Sequence, residues 1–162
     1  EDYLREVIRI ADARYGLSSD RARRGLSGWS MGGYGCVRFA EAFPDEVSAL
    51  APMIGLLDFP RNGLPEGQSY TVPVDRFGED PTRWPRWNPV THAERLADMD
   101  ILVVTGRRAF DRTMNRNFSR RLDTFGIPHR FVMLPGGHTF ATVRAALEEV
   151  VPFMNRALFP EK

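Results

Sequence analysis

The chain has 162 residues, enough for one domain with a real hydrophobic core. Hydrophobic residues make up 43% and charged residues 27%, with a formal net charge of +1, so the balance is that of a soluble globular chain and gives no electrostatic case for nucleic acid or an anionic membrane. No apolar run approaches the roughly 18 residues of a membrane span, and the single cysteine, Cys36, excludes an internal disulfide framework and a cysteine-based metal site.

The chain opens Glu1-Asp2-Tyr3-Leu4, with no methionine and no signal-like segment, directly into a helical pattern. That start is expected of a processed product or of a domain whose first part lies upstream, where any localisation signal would also lie. Over residues 2–15, Leu4, Val7, Ile8, Ala11 and Tyr15 recur at helical spacing, and Gly16 is the stop. Arg21, Arg23 and Arg24 read as a solvated turn before a strand. Residues 23–28, RRGLSG, form that strand and run into Gly28-Trp29-Ser30-Met31-Gly32-Gly33. A helix is expected from Gly32 to Phe43, ended by Pro44, with Cys36 on it as a small buried apolar residue.

Val47 to Ile54, VSALAPMI, is an apolar run of strand length. Residues 56–96 then depart in composition: they hold Pro60, Pro65, Pro73, Pro81, Pro85 and Pro89, with Phe59, Tyr70, Phe77, Trp84 and Trp87. A long, poorly periodic insertion of this kind serves as a lid or binding loop, or as a proline-stiffened cover over the sheet ends. Asp100 to Thr105, DILVVT, is the clearest strand, closed by Gly106. A helix follows over residues 112–125, then the strand His129 to Leu134, closed by Pro135-Gly136-Gly137. The last helix spans residues 139–157, with Val143, Leu147, Val150, Val151 and Met154 expected on its inner face. Strands alternating with helices predict an α/β fold: one domain over residues 1–162, a parallel sheet of about four strands, and helices on both faces.

Ser30 lies between a predicted strand and a predicted helix, inside G-x-S-x-G, which is the setting of a nucleophile elbow. Gly28 and Gly32 are expected to leave room where a Cβ would clash. The helix head at Met31 points amide N–H groups at the space beside the serine, where negative charge develops on a substrate oxygen. A serine nucleophile needs a base and a group to orient it. Of the three histidines, His92 sits in the insertion, His129 starts a strand, and His138 follows a strand. Sites in parallel sheets gather at the C-terminal strand edge, which favours His138. Asp111, after the strand DILVVT, is placed to be the acid; Asp58 is the runner-up, with Glu79, Asp75 and Asp80 weaker still. Asp111 also reads as a helix N-cap, able to share its two oxygens between cap and histidine. Trp29, Trp84 and Trp87 suggest an apolar or aromatic wall for substrate, or core. No histidine or carboxylate cluster has ligand spacing, so no metal and no cofactor are expected.

Three stretches carry a family resemblance: DARYGLSSDRARRGLSGWSMGGYGCVRFAEAFPDEVSAL, ILVVTGRRAFDRTMNRNFSRRLDTFGIP and LPGGHTF. The chain resembles the C-terminal portion of α/β-hydrolases of the esterase D-like family, which includes S-formylglutathione hydrolases, feruloyl and enterochelin-type esterases, and mycolyltransferases. The order Ser30, Asp111, His138 is similar to that family's triad. The resemblance implies a serine hydrolase acting on small-molecule carboxylic esters through an acyl-serine intermediate. It also implies earlier strands, a loop of which supplies half of the oxyanion hole beside the Met31 N–H. Without them the Ser30 strand is an open edge, which invites self-association. An acyltransferase or peptidase of the same fold, and a non-catalytic piece that retains the elbow, are the alternatives.

Overall fold

The computed structural model describes residues 2–58 and 77–160. The elements are α1 (Asp2–Tyr15), β1 (Gly25–Trp29), α2 (Met31–Ala42), β2 (Ala49–Met53), β3 (Asp100–Gly106), α3 (Arg112–Thr124), β4 (Arg130–Leu134) and α4 (Phe140–Leu158). The four strands form one parallel sheet in the order β1-β2-β3-β4, with Trp29 level with Met53, Met53 with Val104, and Gly106 with Leu134. All four C-terminal strand ends therefore reach the same edge.

Strand side chains alternate between two cores, as the two-residue period requires. Leu50, Ile101 and Val103 join Val37 and Phe39 of α2 and Phe118 and Leu122 of α3 on one face. Ala51, Met53, Leu102 and Val104 join Val143, Ala146, Val150 and Phe153 of α4 on the other. Helices thus cover both faces. One expectation is corrected. On α4, Leu147 and Val151 are exposed rather than inward, because the buried stripe runs through residues 143, 146, 150 and 153 and both lie beyond its rim. On α1 no residue is fully buried; only Ile8 packs, partly, against the core, while Leu4 and Val7 stay exposed.

Of the proline- and aromatic-rich insertion, residues 59–76 lie outside the described residues, among them Phe59, Pro60, Pro65, Tyr70, Pro73 and Asp75. The part that is described ends in three 3₁₀ turns, Pro81–Trp87, Pro89–Thr91 and Ala93–Leu96. Val90, Ala93 and Leu96 enter the core, so this portion covers the sheet. Its two ends are clasped together: Val90 N donates to Leu57 O (3.1 Å), and the Asp58 carboxylate accepts from Asn88 Nδ2 (3.0 Å) and from Asn117 Nδ2 of α3 (2.7 Å). Among the described residues, no helix is long and apolar enough to cross a membrane.

One core residue is out of keeping with its setting. Glu41 of α2 is 1% exposed, and burial pushes its carboxyl up to about 8 despite a 2.7 Å bond from Arg38 Nη1. An acid held above its ordinary value stabilises the fold fully below that ordinary value and loses the contribution as pH rises through about 8. The Glu41→Gln variant is therefore expected to gain on the parent in thermal unfolding temperature between pH 5 and pH 9. Parallel pH dependences would refute the assignment.

Candidate active site

The turn from β1 into α2 is built on close backbone contact. A Cβ on Gly28 would stand 2.4 Å from the carbonyl oxygen of Gly32, and one on Gly33 would stand 2.9 Å from Gly55 Cα. The expectation for Gly32 is corrected, because a Cβ there meets nothing within 4 Å among the described residues. It is the Gly32 carbonyl that fills the space Gly28 leaves, and Gly33 is the second glycine the packing demands. Between them Ser30 is forced to φ 54, a conformation that costs a non-glycine residue on the order of 1–3 kcal/mol. Its N–H is spent on Met53 O (3.1 Å) and its carbonyl accepts from Tyr34 N, the first bond of α2. The amides of Met31, Gly32 and Gly33 precede that bond and have no carbonyl of their own helix to reach.

Ser30, His138 and Asp111 are brought together. Ser30 Oγ lies 2.8 Å from His138 Nε2, and His138 Nδ1 lies 2.7 Å from Asp111 Oδ1. The carboxylate can only accept, so Nδ1 carries the proton and Nε2 is left to accept from the serine hydroxyl. The loops bearing Asp111 and His138 are laced to each other: Arg107 N donates to Leu134 O (2.9 Å) and Arg108 N to Gly136 O (2.8 Å). Gly136 takes φ 127, and a Cβ on it would stand 2.4 Å from Thr142 Oγ1. Thr139 then caps α4, accepting from Thr142 N, and leaves His138 on the residue just before the cap.

Asp111 is 0% exposed. It stands at the head of α3 but makes no side-chain cap bond, which corrects the shared-oxygen expectation. Its second oxygen accepts instead from Asn115 Nδ2 (2.8 Å) and Thr105 Oγ1 (3.1 Å). Sequence reading passed over both residues; the one signal for Asn115 is its position four residues after Asp111, on the same helix face. Phe110, also passed over, lays its ring 4.4 Å from that of His138 at 34°. Trp29 stands 6.4 Å from the His138 ring and 6.2 Å from Phe140, and is 43% exposed.

The alternatives are engaged elsewhere. Asp58 is the clasp described above. His92 Nε2 lies 3.2 Å from Arg86 O, and Asp80 caps a 3₁₀ turn through Thr82. Trp84 donates to Gly78 O, and Trp87 packs beside Leu56 and Met114. Cys36 is buried against Gly33 O, and burial raises its thiol to about 12, well away from thiolate chemistry. Among the described residues, no cluster of three or more histidine, cysteine or acidic side chains could hold a metal.

The sequence family described as "Putative esterase" matches residues 1–154. Among curated proteins the chain is similar to Esterase Rv1288 of Mycobacterium tuberculosis, at 23% identity over 85% of this chain and 35% of that protein. It therefore spans about a third of that relative's length. Among solved structures it is similar to FphF, a fluorophosphonate-binding serine hydrolase of Staphylococcus aureus (TM-score 0.79, 23% identity, 94% of this chain and 62% of that one). It is also similar to a ferulic acid esterase (TM-score 0.78, 22% identity, 94% and 59%).

A second serine–histidine pair tests what distinguishes the first. His129 Nδ1 donates to Ile127 O (3.0 Å), and Nε2 lies 2.6 Å from Ser119 Oγ. The polarity matches that of Ser30–His138, yet Ser119 is mid-helix, 7% exposed, and far along α3 from any free helix-head amide. Ser119→Ala is expected to lower stability by about 1 kcal/mol and to leave reaction with a fluorophosphonate unchanged. Loss of labelling in a folded Ser119→Ala protein would overturn this distinction.

Proposed function

The chain belongs to the family described as "Putative esterase", and from that premise we propose that its whole protein hydrolyses small-molecule carboxylic esters through an acyl-serine intermediate. One observation carries the reading: the hydrogen-bonded chain Ser30–His138–Asp111, at 2.8 and 2.7 Å, with the serine held at φ 54 on a helix head.

Ser30 Oγ attacks the ester carbonyl carbon while His138 Nε2 takes its proton. The imidazolium so formed faces the Asp111 carboxylate, which stabilises it and keeps Nδ1–H directed inward. Negative charge gathers on the carbonyl oxygen beside the N–H of Met31, at the positive end of α2. Collapse expels the alcohol, which leaves with the proton from His138. A water then gives its proton to the same nitrogen, attacks the acyl carbon, and frees the acid and Ser30. Trp29, exposed beside the nucleophile, serves as the substrate's apolar wall, and Phe110 packs against the imidazole.

In the full-length protein, a fluorophosphonate is expected to form one adduct, on Ser30, lost in Ser30→Ala. Mass spectrometry of the labelled peptide locates it, and labelling elsewhere would sink the reading. Asp111→Asn preserves shape but leaves the base in the wrong tautomer, so turnover of p-nitrophenyl acetate is expected to fall by up to about 10⁴. Near-normal turnover in Asp111→Asn, with Asp58→Asn inactive, would mean that the acid is Asp58.

A further inference from the structure

Asn115 is fully buried and makes three contacts through a single nitrogen. Nδ2 lies 2.8 Å from Asp111 Oδ2, 2.9 Å from Asp111 O and 2.8 Å from Gly55 O. Two hydrogens serve three oxygens, so one is shared. Its own Oδ1 is buried and, among the described residues, has no partner. Turning the amide over would set that oxygen against three acceptors, which fixes the orientation. A side chain kept only to fill space would carry no unsatisfied acceptor; a leucine would fill it without one. The asymmetry makes sense if the donor end has a task.

We infer that Asn115, seconded by Thr105, is a positioning residue for the proposed ester hydrolysis: it holds the Asp111 carboxylate charged and aimed at His138, and it ties the acid loop to the turn behind the nucleophile. The first half follows from the donors. Asp111 is out of water, and its Oδ2 has Asn115 Nδ2 and Thr105 Oγ1 where solvent would otherwise stand. The second half follows from Gly55. That glycine comes directly after Ile54, a β-branched residue at φ 40, so the turn rests in a conformation it would leave if released. Gly55 Cα presses on Gly33 so closely that a Cβ there would stand 2.9 Å away. Asn115 therefore links acid, β2 turn and the first turn of α2.

The ionisable groups around the pair are few. His138 comes from the β4–α4 loop. Arg107, Arg108 and Arg112 lie on the acid's own side, all exposed, and Arg112 Nη1 is turned to Arg107 O (2.8 Å). Asp58 meets α3 at Asn117, and the elbow and the Gly55 turn contribute no charged side chain. Removing a donor from Oδ2 leaves the carboxylate more basic, so the Asp111–His138 pair holds its proton to higher pH. The base is then blocked over a wider range, and the acid limb of kcat/KM moves up.

The inference rests on the serine mechanism, and the two fail separately: absence of a Ser30 adduct sinks the mechanism, whereas the tests below are read with that adduct intact. In the full-length protein with p-nitrophenyl acetate, Asn115→Leu and Thr105→Val are each expected to lower kcat roughly 10–100-fold, the range found for outer partners of metal-bound histidines. KM should hold, and the acid limb should shift to higher pH. Thr105→Ser, which returns the hydroxyl, should bring the limb back. A purely structural role would scale kcat and leave the limb where it was, and that result in either folded variant overturns the proposal. A measurement on the unaltered protein covers the case in which Asn115→Leu does not fold. The side-chain amide protons of Asn115, followed by NMR, should titrate with the midpoint of the acid limb. Amide shifts that stay flat through that midpoint would overturn it equally.

Discussion

A carboxylate with no access to water has to be given hydrogen-bond donors by the protein, and the architecture around Asp111 is arranged to do so. The three donors come from three elements: His138 from the loop after β4, Thr105 from the end of β3, and Asn115 from the second turn of α3. That convergence needs β3 and β4 adjacent, parallel and in register, so that Gly106 stands level with Leu134. It also needs the two following loops to touch at the backbone. A Cβ on Gly106 would come within 2.8 Å of Gly136 O, so a larger residue would push the loops apart and stretch the bond to His138.

The serine side is organised by a different constraint, the closeness of three backbones. β1, the head of α2 and the turn after β2 approach one another at Gly28, Gly32, Gly33 and Gly55. The strain this places on Ser30 and Ile54 persists because the flanking elements are well buried on both faces of the sheet, and packing of that extent over-determines the turn. Candidate site and core here share one helix. α2 lends its head to the site and its body, through Val37, Phe39 and Ala40, to the larger hydrophobic cluster.

The two serine–histidine pairs show how little the hydrogen bond alone decides. Ser119 and His129 have the same donor–acceptor polarity as Ser30 and His138, at 2.6 against 2.8 Å. What differs is the setting. One pair closes the interior between α3 and the start of β4. The other lies at the sheet edge where four strands end, beside the head of α2 and an exposed aromatic ring. The reactivity proposed for Ser30 rests on that environment, where developing charge on a carbonyl oxygen would meet the helix head.

Much of this was legible in the sequence because the information is local. The β-branched run of DILVVT, the Gly106 and Pro135 stops, and the alternation of strands with helices are short-range patterns, and they placed β3, β4, α3 and the parallel class within a few residues. GWSMGG marked the turn because only glycine permits such close backbone approach, and the rule that sites gather at C-terminal strand ends favoured His138 over His129, while Asp58, which also follows a strand, stayed the runner-up to Asp111. Other features depend on contacts that no spacing encodes. Whether Gly32 or Gly33 is the indispensable second glycine turns on where Gly55 falls, just past the neighbouring strand β2. That Asp111 faces His138, Thr105 and Asn115 rather than capping its own helix is set by the register of β3 against β4. That Asp58 is a clasp depends on Asn88 and Asn117, 30 and 59 residues further along, arriving at the same point. Sequence determined which residue types the chemistry would have to use and roughly where they would stand along the chain; tertiary structure decided which of them meet, because hydrogen bonds reach about 3 Å and only the packed sheet brings residues so far apart in the chain within that distance.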